Sequence, residues 1–454
     1  MPPPRSVRHD AERIWTAALA AVDPRRLVAA LPCGVIDPRG GRIAVVGAGK
    51  AAAGMAAGVG DLVRVAGVRP ERISGMVSVP AGCARTVAGI EIRETRPAAE
   101  NQPTTEVVAA TAAMMLLLSE LGPADLAIAL VTGGGSALLE APAEGVELAD
   151  TIAVAGALSR AGADIAALNT VRRAVSRVKA GGLARACRAG RLVVLVLSDV
   201  IGDPLDVIAS GPCMPTPADA AAARAVLDRF GIAPATAPRL FAALERSPAT
   251  SPSVADGPTW TTPYGCHVSH MIVGHNATAV AAARAVAENL GYTIEDTPPR
   301  APVTDSAEDV GRRLAGRGFA LSRLARRDGR PRAWIEGGEA TVRVPTDHGR
   351  GGRNQQTVLA ALAAAPPAES AAEVWPPGLV IASIGTDGED GPTDAAGAVA
   401  DAGVAAAASV DPGAVPRSLA RCDAYPLLAR TGGLIRTGPT GTNVADLRIV
   451  LACP

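Results

Sequence analysis

Lysine is almost missing from the 454-residue chain: its 44 basic residues are 42 arginines and 2 lysines, Lys50 and Lys179. Arginine serves wherever a positive charge suffices, so the two lysines mark positions where a flat guanidinium fits poorly and a thin, flexible ammonium is needed. Aromatic residues are scarce too, at 2%, and basic and acidic residues balance at 44 each. With no basic block and no stacking row, a nucleic-acid partner is not expected. No apolar run reaches the ~18–20 residues of a membrane helix, so no membrane partner is expected, while hydrophobic residues at 48% exclude a disordered chain. The seven cysteines lie far apart with no CxxC pair, which suggests neither zinc nor a disulfide framework. The N-terminal MPPPRSVRHD lacks a charged segment followed by an apolar one, and a cytoplasmic location is expected.

What is present points to an α/β protein. At roughly 100–200 residues per domain the length implies two domains, and the expected division is 1–257 and 258–454. Short apolar runs, RIAVV at 42–46, MVSVP at 76–80, DLAIALVT at 125–132 and RLVVLVLSD at 191–199, alternate with alanine-rich stretches suited to crossover helices. That alternation predicts a parallel sheet whose ligands bind at the strand C-termini. The stretch 246–265, rich in Pro, Ser and Thr, is the expected linker and hinge. SHMIVGHN at 269–276, AWIEGG, TVRV, LVIASIGTDG and DLRIVLA then predict a second α/β unit.

The glycine-rich strings carry the candidate chemistry. Gly47-Ala48-Gly49-Lys50 follows a strand and opens a helix, so backbone N–H groups and the helix dipole can cradle an anion while Lys50 adds charge. The same letters fit a dinucleotide fingerprint, but the next strand ends Ser78-Val79-Pro80, without the carboxylate that would hold a ribose. Phosphate binding is therefore the preferred reading. Thr132-Gly133-Gly134-Gly135-Ser136 offers a second nest of amides with a hydroxyl. Downstream, Arg172, Arg173, Ser176, Arg177 and Lys179 are expected to share helix faces. Asp199 and Asp203, after a strand, suit a hard divalent cation. In the second half, Arg350, Arg353 and Asn354 lie in a glycine-rich string before a helix and offer donors to carboxylate or phosphoryl oxygens. Asp387 and Asp390 stand in an acidic loop suited to Mg²⁺ or substrate hydroxyls, and Thr437–Asn443 adds hydroxyls and amides. The histidines show no ligand spacing.

Taken in order, VVGAGKAAAGM, TGGGSALLEAPAEGV, LNTVRRAVSRVKAGGLA, LSDVIGDPLDVIASGP, IEGGEATV, GRGGRNQQ, GTDGEDGPTDAAGAVAD and TGPTGTNVADL resemble the glycerate 2-kinase family over about residues 10–450. These two-domain enzymes carry a C-terminal MOFRL domain, and many are also labelled hydroxypyruvate reductases. The resemblance implies two Rossmann-like α/β domains with mostly parallel sheets and a cleft between them. It implies ATP and Mg²⁺ as cofactors and transfer of phosphate to the 2-hydroxyl of D-glycerate or a related small hydroxy acid. The family's catalytic lysine maps onto Lys50 and its essential arginine onto Arg353, ahead of Arg350. Arg350, Asn354, Asp387, Arg96 and Ser136 are then expected to bind substrate. Gly47, Gly49, Gly133, Gly134, Gly135, Ser136, Lys179 and Asp199 are expected at the nucleotide, and Asp199, Asp203, Asp387 and Asp390 at the metal. A homodimer is a further expectation.

Three departures stand out. The family's GHPxPD-like loop reads Thr95-Arg96-Pro97-Ala98-Ala99-Glu100-Asn101, the acidic residue after SGP is lost at 213–217, and Gln356 replaces a Glu. Altered loops at the acceptor pocket would favour a different hydroxy acid, with Arg96 meeting a further anionic group. Two other functions compete with the kinase: an NAD(P)H-dependent hydroxypyruvate reductase, which lacks its ribose carboxylate and a placed histidine acid, and a sensor of phosphorylated metabolites, which lacks an output segment.

Overall fold

The computed structural model describes residues 6–36, 40–97, 100, 102–246, 257–295, 305–365 and 375–454. Two compact units divide the chain: Pro24–Gly274, and Met1–Asp23 together with His275–Pro454. The boundary expected at 257/258 therefore falls after Gly274, because the last long strand of the first sheet pairs back onto that sheet. The first 23 residues join the C-terminal unit. Most of the expected hinge, 247–256, lies outside the described residues.

In the unit Pro24–Gly274 the strands are β1 (Ile43–Ala48), β2 (Ile73–Pro80), β3 (Ile90–Arg96), β4 (Leu126–Thr132), β5 (Arg191–Leu197), β6 (Thr259–Thr261) and β7 (His267–Gly274). They are ordered β3-β2-β1-β4-β5-β7-β6, and every pairing is parallel except the short β6 on β7. Every residue of β1 and β4 is buried, which is why these strands read as unbroken apolar runs. The chain builds outward from β1 through β2 to β3, then returns to the other side of β1 with β4. The strand order thus reverses between β1 and β4, the place where open α/β sheets leave a crevice at their C-terminal edge. The helices Leu148–Arg160, Ile165–Ala174, Ala220–Arg229 and Pro238–Arg246 bury Val154, Leu158, Val171, Leu227, Leu240 and Phe241 in a separate small core. The helix bearing Arg172 and Arg173 ends at Ala174. Ser176, Arg177 and Lys179 lie beyond it and do not extend its faces as expected.

The second unit contains β8 (Thr293–Ile294), β9 (Arg332–Gly338), β10 (Leu379–Gly385), β11 (Gly397–Ala400), β12 (Leu434–Ile435) and β13 (Asp446–Ala452), ordered β12-β11-β10-β13-β9-β8. The α/β class holds here, but only β8 and β9 pair in parallel; the other pairings are antiparallel. The cause is β13, which inserts between β10 and β9 and opposes both, and the connection from β10 to β11, which has no crossover helix. Helices Ala307–Asp328 and Arg353–Ala363 pack with Trp334, Leu379, Ile381 and Val450 in this core. The helix Val7–Ala21 buries Ile14, Trp15 and Ala18. Tyr292 Oη donates to Asp10 Oδ2 at 2.9 Å and Thr442 Oγ1 donates to Val22 O at 2.7 Å, tying that helix in place. No described helix is long and apolar enough to cross a membrane.

Candidate active site

The two glycine loops of the first unit follow β1 and β4, neighbours at the point of reversal, and they touch. Lys50 N donates to Gly133 O at 3.0 Å. Gly49 has φ +134°, and a Cβ there would stand 2.4 Å from Thr132 Cγ2, so only glycine lets the loops close. A Cβ on Gly135 would meet Ala209 Cβ at 2.9 Å, whereas one on Gly134 (φ +75°) would lie 3.6 Å from Lys50 Cγ. The stem of Lys50 therefore runs along Gly134, and the expected grouping of Gly47, Gly49, Lys50 and Gly133–Ser136 is what the structure brings together.

The second lysine does different work. Lys179 is 1% exposed, and its ammonium donates to Ser136 O at 2.9 Å and Leu139 O at 3.0 Å and pairs with Glu140 at 3.3 Å. Three donors meet three acceptors, so the nucleotide contact expected of Lys179 is not available; it pins the β4 loop from beneath. Burial lowers its pKa, with Glu140 opposing. Ser136 Oγ lies 3.0 Å from Ser210 Oγ, which donates to Asn169 Oδ1 at 3.1 Å. Ala209, Ser210 and Gly211 all have positive φ, at 52°, 62° and 62°. Such strain persists only where surrounding contacts enforce it, and functional sites are where it gathers. Asp199 and Asp203 follow β5 on the same edge of the sheet, Asp203 at φ 54°. Arg96, 6% exposed, ends β3 two strands from β1, and residues 98, 99 and 101 of its loop are outside the described residues.

In the second unit Arg353 opens the helix Arg353–Ala363 and is held by two carboxylates. Its Nε and Nη2 grip Asp446 at 2.9–3.1 Å, and Nη1 reaches Glu339 at 2.7 Å. Burial opposes the charge on Arg353, but Asp446 and Glu339 outweigh it and raise its pKa. Glu339 is pushed up by burial and by Asp446, against the pull of Arg353. Asp387 acts on the same group, so carboxylates outnumber the guanidinium. Neither Asp446 nor Glu339 is given a role by the sequence, although both stand in the strings TGPTGTNVADL and IEGGEATV; the signal for the first is that an Asp opening a fully buried strand must have a partner.

Two expected site residues prove structural. Asn354, 2% exposed, donates to Asp390 and Asp446 and accepts from Ser383 Oγ at 2.6 Å, which leaves its side chain no bond for a substrate. Asp390, also 2% exposed, accepts from Asn354 N and Gln355 N at 2.9 and 2.8 Å. It caps the helix start in place of holding a metal, since both oxygens face backbone donors. Arg350 lies 4.2 Å over the Tyr425 ring and donates to Pro392 O at 3.3 Å. Asp387 Oδ1 accepts from Glu389 N at 3.1 Å, and Gly388 packs so closely that a Cβ would stand 2.0 Å from Gly438 O, fixing the acidic loop against the Thr437–Asn443 loop. Gln356, 1% exposed, donates to Glu308 at 2.7 Å and to Leu419 O at 2.9 Å. Its departure from the family's Glu is thus a matter of core partners.

Among the described residues no three His, Cys, Asp or Glu side chains come together as a protein-only metal cage would require. Magnesium is ordinarily held by one or two carboxylates together with phosphates and waters, a lighter demand that a single carboxylate after a strand end can meet, as Asp199 does in the first unit or Asp387 in the second. The amide nest at Gly133–Ser136 fits a phosphate chain.

A family model described as a domain of unknown function, DUF4147, matches residues 10–245, and the MOFRL family model matches residues 332–446. The chain is 34% identical over 464 residues to a glycerate kinase of Bos taurus, covering 90% of this chain and 84% of that protein. It is 36% identical over 360 residues to a D-glycerate 2-kinase of Thermotoga maritima, covering 77% of this chain and 78% of that one. A crystal structure of glycerate kinase from Thermotoga maritima matches with TM-score 0.80 and 32% identity over 99% of this chain and 100% of that one. Motifs, strand order and relatives agree: the chain belongs to the glycerate 2-kinase family.

Proposed function

We propose that this chain is an ATP-dependent kinase that phosphorylates the 2-hydroxyl of D-glycerate or a closely similar hydroxy acid. The observation that carries the reading is the closed pair of glycine loops at the reversal of strand order, with Lys50 lying along Gly134. Backbone N–H groups there are aimed without intervening side chains, so they can hold phosphate oxygens, and Lys50 contributes a positive charge to the group in transit. Phosphoryl transfer asks the protein mainly for alignment and charge stabilisation, and this loop pair is built for both. Bound ATP would supply the phosphoryl group and a bound Mg²⁺ the charge neutralisation; Asp199 in the first unit and Asp387 in the second are the separate candidates for holding the ion. Arg353 is anchored by Asp446, which is fully buried, while its bond to the half-exposed Glu339 is the one it can exchange for a substrate oxygen. A reductase is disfavoured because β2 ends in Ser78-Val79-Pro80 with no carboxylate for a ribose.

The test is incubation with ATP, Mg²⁺ and a panel of small hydroxy acids, followed by phosphorus NMR. A 2-phosphoglycerate signal is expected with D-glycerate. ATP that stays intact with every acid, alongside loss of nicotinamide absorbance with hydroxypyruvate, would replace the kinase with the reductase.

A further inference from the structure

An acceptor that carries a carboxylate needs a cation with hydrogen bonds still to make. Arg353 is held by Asp446 and has only its single bond to Glu339 to exchange, and Arg350 is engaged by Pro392 O and the Tyr425 ring. The helix Ile165–Ala174 offers what they lack. Arg172, half-buried, makes no hydrogen bond among the described residues, and its charge is answered only at a distance, by Glu140. That carboxylate already serves Lys179 at 3.3 Å, Ser176 Oγ at 2.7 Å and Ala141 N at 3.0 Å. Two cations therefore share one anion, Lys179 fully buried and Arg172 half-buried, which leaves a positive charge unmatched. Lys179 has its donors filled, so the unmade bonds belong to Arg172. The next residue along, Arg173, is paired with Asp206 at 3.3 Å, and Arg177 donates to Pro142 O at 3.1 Å.

Asn169 stands three residues before Arg172, a neighbour on the helix surface. It is 5% exposed. Its Oδ1 accepts from Ser210 Oγ at 3.1 Å, which orients the amide and leaves Nδ2 without an acceptor among the described residues. Ser210 in turn reaches Ser136, at the end of the phosphate-type loop. On its other flank Arg172 borders a cavity of about 20 Å³ walled by Val154, Leu158, Leu168 and Val171. That space admits no more than a water-sized group, and the apolar wall on this side strengthens the bonds the guanidinium can make to an anion.

We infer that Arg172 and Asn169 Nδ2 bind the carboxylate of the acceptor acid, beside the Ser136 end of the glycine loop. The planar guanidinium suits a planar carboxylate with paired N–H donors, and the amide adds a third. The inference deepens the kinase reading and rests on it: the two residues select an acid over a neutral polyol.

Arg172→Met, Arg172→Lys and Asn169→Ala test it, with the acid and ATP varied separately. The KM for D-glycerate should rise roughly 10- to 100-fold in Arg172→Met, the loss expected for charged hydrogen bonds, while the KM for ATP moves less than about twofold. Arg172→Lys should recover part of the loss, and discrimination between D-glycerate and neutral glyceramide should collapse in Arg172→Met. Thermal melting confirms the fold; if Arg172→Met does not fold, the other two variants decide. An unchanged KM for the acid, or an effect confined to ATP, overturns the inference. If the wild type phosphorylates no hydroxy acid, the kinase reading itself fails. Calorimetric titration of D-glycerate and glyceramide then judges the anion site alone: weaker acid binding in Arg172→Lys than in wild type supports it, and equal binding overturns it.

Discussion

Lys50 and Lys179 are the only lysines in the chain, and their surroundings separate them. Lys179 is buried under the β4 loop with its donors satisfied, whereas Lys50 follows Gly49 at the loop tip with its stem along Gly134. A guanidinium at position 50 keeps the charge but is broader and planar, so it cannot reproduce an ammonium's approach to a phosphoryl oxygen. Lys50→Arg should lower kcat by about 100- to 1,000-fold, the scale of losing one transition-state donor, with an unchanged melting temperature. Steady-state turnover and a thermal scan check it, and near-normal turnover would make Lys50 structural. Asp390 offers a different measurement. Burial pushes its carboxyl up to about 6, against the N–H bonds from Asn354 and Gln355. A carboxyl raised in the folded state contributes stability that is complete below its unfolded value of about 3.9 and is lost as pH rises through about 6. Asp390→Asn removes that proton uptake. Between about pH 5 and 7 the wild type should lose about 1.4 kcal/mol relative to the variant, read by denaturant unfolding at stepped pH. A difference that stays constant over that range contradicts the assignment.

Elements carry the next set of constraints. The helix Arg353–Ala363 starts at Asp390, leans on Asp446 through Arg353 and Asn354, and is tied on its far side by Gln356 to Glu308 and Leu419 O. Replacing Gln356 by the family's Glu would set two carboxylates together in a buried place and remove the donor to Leu419 O. Gln356→Glu should therefore destabilise the fold by about 3 kcal/mol or more at neutral pH. Part of that loss should return as the solution is acidified and the introduced carboxyl protonates. Unfolding at pH 5 and pH 8 tests this, and equal stability to wild type at both would show that Glu308 is not its partner. The same helix shows what sequence could and could not reveal. GRGGRNQQ marked a helix start, because glycines before a polar string are a local signal. That Asn354 and Asp390 would bond to each other was hidden, since they stand 36 residues apart and only folding brings them together. The two glycine loops were legible for the opposite reason: positive φ and close approach leave glycine as the sole solution at Gly49, whatever its distant neighbours. β3 was missed because an edge strand reading IEIRETR alternates apolar and charged residues and lacks the long run that marked β1 and β4.

At the scale of the whole chain, strand identity was readable and strand direction was not. A buried strand is apolar in either orientation, so AWIEGG, LVIASIG and DLRIVLA announced β9, β10 and β13 without saying that β13 would run against both neighbours. Nor did composition disclose the division of the chain, because the helix Val7–Ala21 precedes the first unit in sequence yet belongs to the second. Its apolar stripe of Ile14, Trp15 and Ala18 packs on the helix Asn276–Asn289, whose Ala279, Ala283 and Ala287 recur every fourth residue and let the backbones approach. The bond from Tyr292 to buried Asp10 fastens the contact. Removing residues 1–23 should therefore strip protection from the unit that comes last in the chain. Hydrogen exchange followed by mass spectrometry should show faster exchange across 276–294 and into β9 and β13, while β1 and β4 keep their protection. Ile14→Ala in the full chain is the milder form, expected to cost about 3 kcal/mol with the same regional pattern. Were the helix part of the first unit, as a division at 257/258 implies, the loss would instead appear at β1 and β4. The location of the deprotected amides thus decides between the two divisions without reference to catalysis.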